Sequence, residues 1–171
     1  MNDYTSDVVI HILYKDTLDA RVSEDEVVLL NSLPTEEIIP ILQRVFYQEH
    51  DDVVKSRAFD AIVSIQAFDK VQFLLNLLNL SSPGWRAAYC EELSRFHDAR
   101  AIAQFCEILQ DDPDPDLRYV AAESLAKVGD SAATKVLKYA QKHDKGKDYE
   151  GFRVADMASQ ALQQIRKRLD T

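Results

Sequence analysis

The sequence predicts an all-α protein made of about four stacked helix pairs, with one further helix capping each end. Apolar residues recur along the chain with a period of about 30 residues, which is typical of stacked helical repeats. The chain of 171 residues has only four glycines and five prolines, and this shortage of turn-formers favours long helices joined by short connections. No segment alternates apolar and polar residues over a sustained stretch, so we expect no β-sheet.

The repeat becomes visible when the sequence is shifted against itself. An offset of 32 residues places Arg86 on Arg118 and Leu93 on Leu125. An offset of 28 places Ile65 on Leu93, and offsets of 32 and 37 extend the register towards the two ends of the chain. One apolar column results, which we expect to be nearly fully buried: Leu33, Ile65, Leu93, Leu125 and Leu162.

The clearest repeat covers residues 112–143 and contains the segment PDPDLRYVAAESLAKVGDSAATKVL. Pro113 and Pro115 mark the entry to its first helix, because proline is tolerated in a first turn and not in a helix interior. Gly129 ends that helix and Asp130 caps the next one. The residues expected to face inward from the two helices are Ala121, Ala122, Leu125, Val128, Ala133, Val136, Leu137 and Ala140.

We interpret the whole chain, residues 1–171, as a single repeat domain. The predicted parts are an N-terminal cap (1–20), four helix pairs (21–48, 51–80, 81–110 and 112–143) and a long C-terminal capping helix (149–169). The N-terminal cap has a helical stripe formed by Val9, Ile12 and Leu13, whereas the outer residues of the last helix are polar. Both segments are interpreted as caps because the ends of a helical stack must hide its core from water.

The segment DPDPDLRYVAAESLAKVGD resembles the HEAT-repeat superfamily, in particular the short bacterial repeats named after phycobilisome lyases. The resemblance implies a right-handed α-solenoid, in which first helices form the convex face and second helices line the concave face. It also implies an ion pair between Arg118 and Asp130 that braces the turn between two helices. The same pair is expected one repeat earlier, between Arg86 and Asp98.

The charge distribution limits the classes of partner. The net charge is −9, and nucleic-acid binding needs a basic surface. Only residues 135–171, with nine bases and five acids, lean towards a positive charge. The longest apolar runs are too short to cross a bilayer, and we find no secretory signal and no disulfide framework. We therefore expect a cytoplasmic protein that binds neither nucleic acid nor membrane.

Two features could suggest a chemical site. Cys90 could act as a nucleophile, but Cys90 and Cys106 both fall in apolar columns, where cysteine behaves as a small core side chain. An alternating run of acids resembles a calcium-binding EF-hand loop, but Leu117 stands where such a loop requires glycine. We interpret these acids as helix caps and expect no metal, no cofactor and no catalytic residue. They are Asp112, Asp114, Asp116 and Glu123.

The remaining candidate is an exposed stripe along the second helices. It is rich in Tyr, Arg, Gln and Asn, a composition typical of protein-binding surfaces, although an ordinary solvated face is the alternative interpretation. Trp85, at the entry of the third pair, is either a further anchor or a plug between repeats. The candidate partner-binding residues are Arg44, Tyr47, Gln72, Asn76, Asn79, Trp85, Arg100, Gln104, Glu107 and Tyr139.

These observations predict a non-catalytic module, a monomer or part of a heterodimer, that binds another protein on its concave face. It could act as an adaptor or as an immunity-type inhibitor of a basic partner. The resemblance implies an alternative, a phycobilin lyase subunit or pigment-protein chaperone, for which the cofactor would be a bilin. Isomerising members of that family use a His-Cys pair, whereas Tyr89 precedes Cys90 here.

Overall fold

The structure is a computed structural model, and it describes residues 3–16, 18–80 and 83–170. These residues contain no β-strand, only an isolated bridge between Lys147 and Arg153, so the all-α prediction is confirmed. Met1, Asn2 and Thr17 of the predicted N-terminal cap lie outside the described residues. The helices are α1 (Asp3–Leu13), α2 (Glu24–Ser32), α3 (Thr35–Gln48), α4 (Asp52–Ser64), α5 (Lys70–Leu80), α6 (Pro83–Leu93), α7 (Ala99–Asp111), α8 (Pro115–Val128), a 3₁₀ turn (Ser131–Ala133), α9 (Thr134–His143) and α10 (Val154–Leu169).

The contacts between helices divide the chain into two compact units, Met1–Lys70 and Val71–Thr171. In the first unit, α3 packs on α4, α1 contacts both of these helices, and α2 contacts α4. The residues predicted to face inward in α1 and α3 are all buried: Val9, Ile12, Leu13, Leu42, Val45 and Phe46. The interpretation of residues 1–171 as a single domain stays a prediction.

The second unit is built from two layers of helices. Helix α6 contacts α8 and α8 contacts α10, which forms the first-helix layer. Helix α7 contacts α9 in the second-helix layer, and the layers join where α8 packs on α7 and α10 packs on α9. Phe105, Leu125 and Leu137 are fully buried. Contacts between every second helix are what stacked helix pairs produce.

Prolines and aspartates mark the starts of several helices, as predicted for Asp114, Pro115 and Asp130. Pro34 is the N-cap residue of α3, and Pro115 lies in the first turn of α8. Asp98 caps α7, Asp114 caps α8, and Asp130 caps the 3₁₀ turn that leads into α9. Each of these carboxylates accepts a hydrogen bond from the backbone N–H two residues later, at 2.8–3.0 Å. Satisfying these otherwise unpaired N–H groups stabilises each helix start.

The predicted apolar column is only partly buried. Ile65, Leu93 and Leu125 are fully buried, but Leu33 and Leu162 are half-buried, so the prediction is wrong for those two. Leu33 follows the last turn of α2, where the backbone is already extended. Leu162 lies in a groove between α9 and α10. The inward face of α10 is instead formed by Val154, Ala155, Met157, Ala158, Ala161 and Ile165.

Candidate protein-binding surfaces

The predicted stripe is accessible to solvent in both units. All ten candidate residues are exposed except Gln104, which is half-buried. Tyr47 in the first unit and Tyr139 in the second are 53% and 62% exposed, which is unusual for side chains of this size. Arg44 belongs to the first unit with Tyr47, and the other eight residues belong to the second unit.

Tyr139 lies beside a groove in the second-helix layer of the second unit. The groove has a volume of about 430 Å³ and is lined by Gln110, Asp111, Lys135, Val136 and Tyr139. Val136, which we expected to be buried, is half-buried because it lines this groove. The Tyr139 ring packs 4.6 Å from the His143 ring, which supports its orientation. The layer therefore offers an aromatic side chain next to a recess.

Polar residues of the second-unit stripe hold one another in place. A partner that binds Arg100 must compete with the Asp98 carboxylate for its guanidinium group. Such pairing limits the rotamers of long side chains before a partner arrives. The pairs are Gln72 with Asn76 at 3.0 Å, Arg100 with Asp98 at 2.8 Å, and Gln104 with Glu107 at 3.3 Å.

The first unit presents Tyr47 on a firm support. Its ring meets the buried Phe46 ring edge to face, with centroids 5.1 Å apart. Partial burial raises the pKa of Tyr47, so its hydroxyl stays protonated and can donate a hydrogen bond. Arg44, one turn earlier on α3, is also exposed. An aromatic ring held in this way can contribute contact area at low entropic cost.

Trp85 lies apart from the stripe. It belongs to α6 in the first-helix layer, and it is 49% exposed. Its ring stacks at 6.2 Å on the ring of Tyr89, which is buried. A plug between repeats would need to be buried, so its exposure favours the interpretation as a surface aromatic residue.

The expected pairing of the arginine residues is wrong. Arg118 pairs with Asp144 at 2.8 Å, and Arg86 pairs with Asp112 at 2.6 Å. Each aspartate follows the second helix of a pair and does not lie in the turn within it, where Asp98 and Asp130 cap the next helix instead. The hydrogen bonds to Asp144 raise the pKa of Arg118. These ion pairs therefore brace the connection from one helix pair to the next.

The residues that could have suggested chemistry have structural partners. Cys90 is fully buried as predicted, and burial raises the pKa of its thiol to about 12, whereas Cys106 is only half-buried. Asp114 caps α8, as we expected, whereas Asp112, which we also expected to be a cap, forms an ion pair with Arg86. Among the residues that the structure describes, no three His, Cys, Asp or Glu side chains are placed to hold a metal ion.

A groove in the first-helix layer was missed by the sequence analysis. It lies between α6, α8 and the loop that follows α9, and its volume is about 510 Å³. We call it the α8 groove. Its apolar floor consists of Ala87, Leu117 and Val120, and its walls are Tyr119 and Tyr149. Its rim carries five acids, namely Asp114, Asp116, Glu123, Asp148 and Glu150.

The loop beside the α8 groove also explains why α10 begins at Val154 and not at residue 149 as predicted. The Asp148 carboxylate accepts hydrogen bonds from two backbone N–H groups later in the loop, at 2.8 and 3.0 Å. Gly151 has a φ of +91°, and a Cβ on Gly146 would lie 2.5 Å from the Arg118 guanidinium. Two glycines around an Asp-Tyr-Glu sequence are a turn signal that could have revealed this loop.

Comparison with known proteins finds one family model that matches a part of the chain. Residues 71–150 match the family model described as HEAT repeats. The matched part of the chain runs from α5 to the loop after α9, so the HEAT-like character is shown for most of the second unit. Proteins built from such repeats generally serve as scaffolds for protein interaction. No curated protein matches the chain. None of the helices in the described residues has the length and apolar character needed to span a membrane.

Proposed function

We propose that this chain is a non-catalytic protein-interaction module that binds a partner protein through the exposed stripe of its second helices. The match to HEAT repeats supports a scaffold role. The observation that carries the proposal is Tyr139, which is 62% exposed beside a recess between two adjacent second helices. Aromatic side chains of this kind dominate binding energy when a partner removes them from water.

The net charge of −9 favours a basic partner, because complementary charge accelerates association and suppresses wrong partners. An adaptor or an immunity-type inhibitor would work in this way. The proposal includes a cytoplasmic location, since Cys90 and Cys106 are both free thiols. It also includes a monomeric or heterodimeric state.

The alternative, a phycobilin lyase subunit or pigment-protein chaperone, receives less support from the site. Cys90 is fully buried and its pKa is about 12, so its thiol is neither accessible nor ionised at neutral pH. Tyr89, which precedes it, is buried as well and stacks on Trp85. We therefore propose binding without a bilin and without catalysis.

Site-specific photo-crosslinking tests the proposal in cells that produce the protein. A photoreactive phenylalanine analogue replaces Tyr139 in one variant and Gln164, an exposed residue of the first-helix layer, in the matched control. We expect position 139 to crosslink to one defined protein and position 164 to give none of that product. Crosslinks to a partner from position 164 but not from position 139 would show that the binding face is elsewhere.

A further inference from the structure

The α8 groove combines an apolar floor with a rim whose charges are mostly uncompensated. Among the described residues, Glu123 is the one rim acid in an ion pair, with Lys127 at 3.4 Å. The other four rim acids of the groove make no ion pair within that part of the chain. Arg118, the arginine of α8, forms its ion pair with Asp144, which is not a rim acid. A rim in which four of the five acids form no ion pair is complementary to a cationic partner.

Aromatic rings stand next to these acids. Tyr149 is 84% exposed, and its hydroxyl donates a hydrogen bond of 3.3 Å to Glu150. The Tyr119 ring stacks at 6.3 Å on the ring of Phe152, which is itself 55% exposed. The pKa of Tyr119 is raised, first by partial burial and then by the negative charge of Asp148. The acids of the rim therefore act electrostatically on an aromatic side chain of the groove. Large exposed aromatic side chains around a recess are typical of interaction sites.

We propose that the α8 groove binds arginine or lysine side chains from a basic segment of a partner protein. The aliphatic stem of such a side chain lies on the floor formed by Ala87, Leu117 and Val120, and its charged head reaches the rim. The exposed ring of Tyr149 adds a cation–π contact. Arginine fits better than lysine, because its planar guanidinium both stacks on aromatic rings and binds carboxylates through two N–H groups.

This site is separate from the stripe in the Proposed function, because it lies in the first-helix layer and Tyr139 lies in the second. A second recess of about 330 Å³ continues along α6 and α8 and shares Ala87, Val120 and Glu123 with the α8 groove. The two recesses together form a continuous path along these helices. An extended segment of the partner could place more than one basic side chain along this path.

The test uses a short fluorescein-labelled peptide of alternating arginine and glycine, titrated with the full chain and followed by fluorescence anisotropy. The matched peptide has citrulline, which is neutral and nearly isosteric, in place of every arginine. We expect the arginine peptide to bind, a lysine version to bind more weakly, and the citrulline peptide not to bind. Equal binding of the citrulline peptide would overturn the proposal.

Matched variants distinguish binding in the groove from general attraction of the peptide by the negative net charge. The groove variant D116N/E150Q removes two rim charges, and the control E36Q/D52N removes two exposed charges from the first turns of α3 and α4. We expect the groove variant to weaken binding of the arginine peptide about tenfold and the control to change it less than about twofold. Tyr149→Ala should weaken it about threefold through the lost cation–π contact.

Equal weakening by the groove variant and the control would mean that the peptide senses only net charge, and this would overturn the proposal. The single variant Glu150→Gln, which lies on the exposed loop, keeps the test valid if the double variant unfolds in a thermal melt. Tyr139→Ala should leave the affinity for the peptide unchanged. Failure of the proposal for the stripe and failure of the proposal for the groove can therefore be told apart. A dimer of the chain that the groove variant dissociates would assign the groove to a second copy and overturn the proposal.

Discussion

Each of the two compact units has an arginine on the first helix of a pair, but the two units use it in different ways. In the second unit, Arg118 on α8 pairs with Asp144 at 2.8 Å and donates a hydrogen bond of 2.9 Å to the Asp112 carbonyl oxygen. In the first unit, Arg57 on α4 is only 2% exposed and pairs with Glu26 at 3.2 Å. Its guanidinium also donates hydrogen bonds of 2.6–3.1 Å to the carbonyl oxygens of Ile12, Asp19 and Arg21.

The comparison shows that arginines on the first helices of different pairs can have different partners. Arg86 and Arg118 each pair with an aspartate 26 residues later, so the second unit repeats the contact as well as the residue. Arg57 instead holds the segment that connects α1 to α2, and this segment has no counterpart in the repeat. In the first unit, one buried arginine holds the segment between α1 and α2. In the second unit, two partly exposed ion pairs brace the connections that follow α7 and α9.

The largest expected effect comes from Arg57→Met. Removing this guanidinium takes one donor from Glu26 and takes the Arg57 donor from three carbonyl oxygens, and breaking a buried pair in this way costs about 3–5 kcal/mol of unfolding free energy. The measurement is urea denaturation followed by circular dichroism. The matched variant Arg118→Met should cost less, about 1–3 kcal/mol, because its ion pair is partly exposed. Equal losses would contradict the comparison.

A second variant tests the core of the second unit. Leu125→Ala should lower the free energy of unfolding by about 2–5 kcal/mol, because Leu125 is fully buried and the smaller side chain leaves a cavity. Leu162→Ala is the control, and it should cost clearly less because Leu162 is half-buried. A denaturation midpoint that does not change for Leu125→Ala would show that this column is not part of the core.

The sequence was sufficient for local features and insufficient for long-range ones. The N-caps at Asp98 and Asp114 could be predicted, because their partners are backbone N–H groups two residues away. The partner of Arg118 could not, since Asp144 becomes its neighbour only after α8 and α9 have both packed on α7 and α10. Candidate residues on the stripe could be predicted as exposed from helical periodicity alone. The α8 groove needed the position of the 144–153 loop, which periodicity does not contain.

Helix capping should be similar in the two units. Asp51 caps α4 in the first unit and Asp114 caps α8 in the second, each through hydrogen bonds of about 3 Å to backbone N–H groups. Asp51→Ala and Asp114→Ala should therefore each cost about 1 kcal/mol. The control Glu107→Ala, on an exposed helix surface, should change stability by less than about 0.5 kcal/mol. Thermal melts of the three variants make the comparison. A cap variant as stable as the control would show that the capping aspartate does not stabilise its helix.

The smallest expected effect is a pH dependence in the first unit. Tyr14 donates a hydrogen bond of 2.5 Å to Glu49, and this bond is the main reason that the pKa of Glu49 falls from 4.5 to about 2. A lowered folded-state pKa adds stability at neutral pH, and this stability is lost as the pH falls from about 4.5 to about 2. Tyr14→Phe should thus lower the melting temperature slightly at pH 7 and leave it nearly unchanged at pH 2. A difference between the two proteins that stays constant over this range would exclude Glu49 as the cause.

The most direct test of the interaction role is calorimetric titration of the partner recovered by crosslinking, performed beside thermal melts. Tyr47→Ala and Tyr139→Ala remove the exposed tyrosine of the stripe from the first and the second unit, respectively. Each variant should weaken binding by about 1–3 kcal/mol and leave the melting temperature nearly unchanged, whereas Gln164→Ala, on the exposed face of α10, should bind like the wild type. Wild-type affinity in both tyrosine variants would contradict the proposal that the stripe of second helices binds the partner.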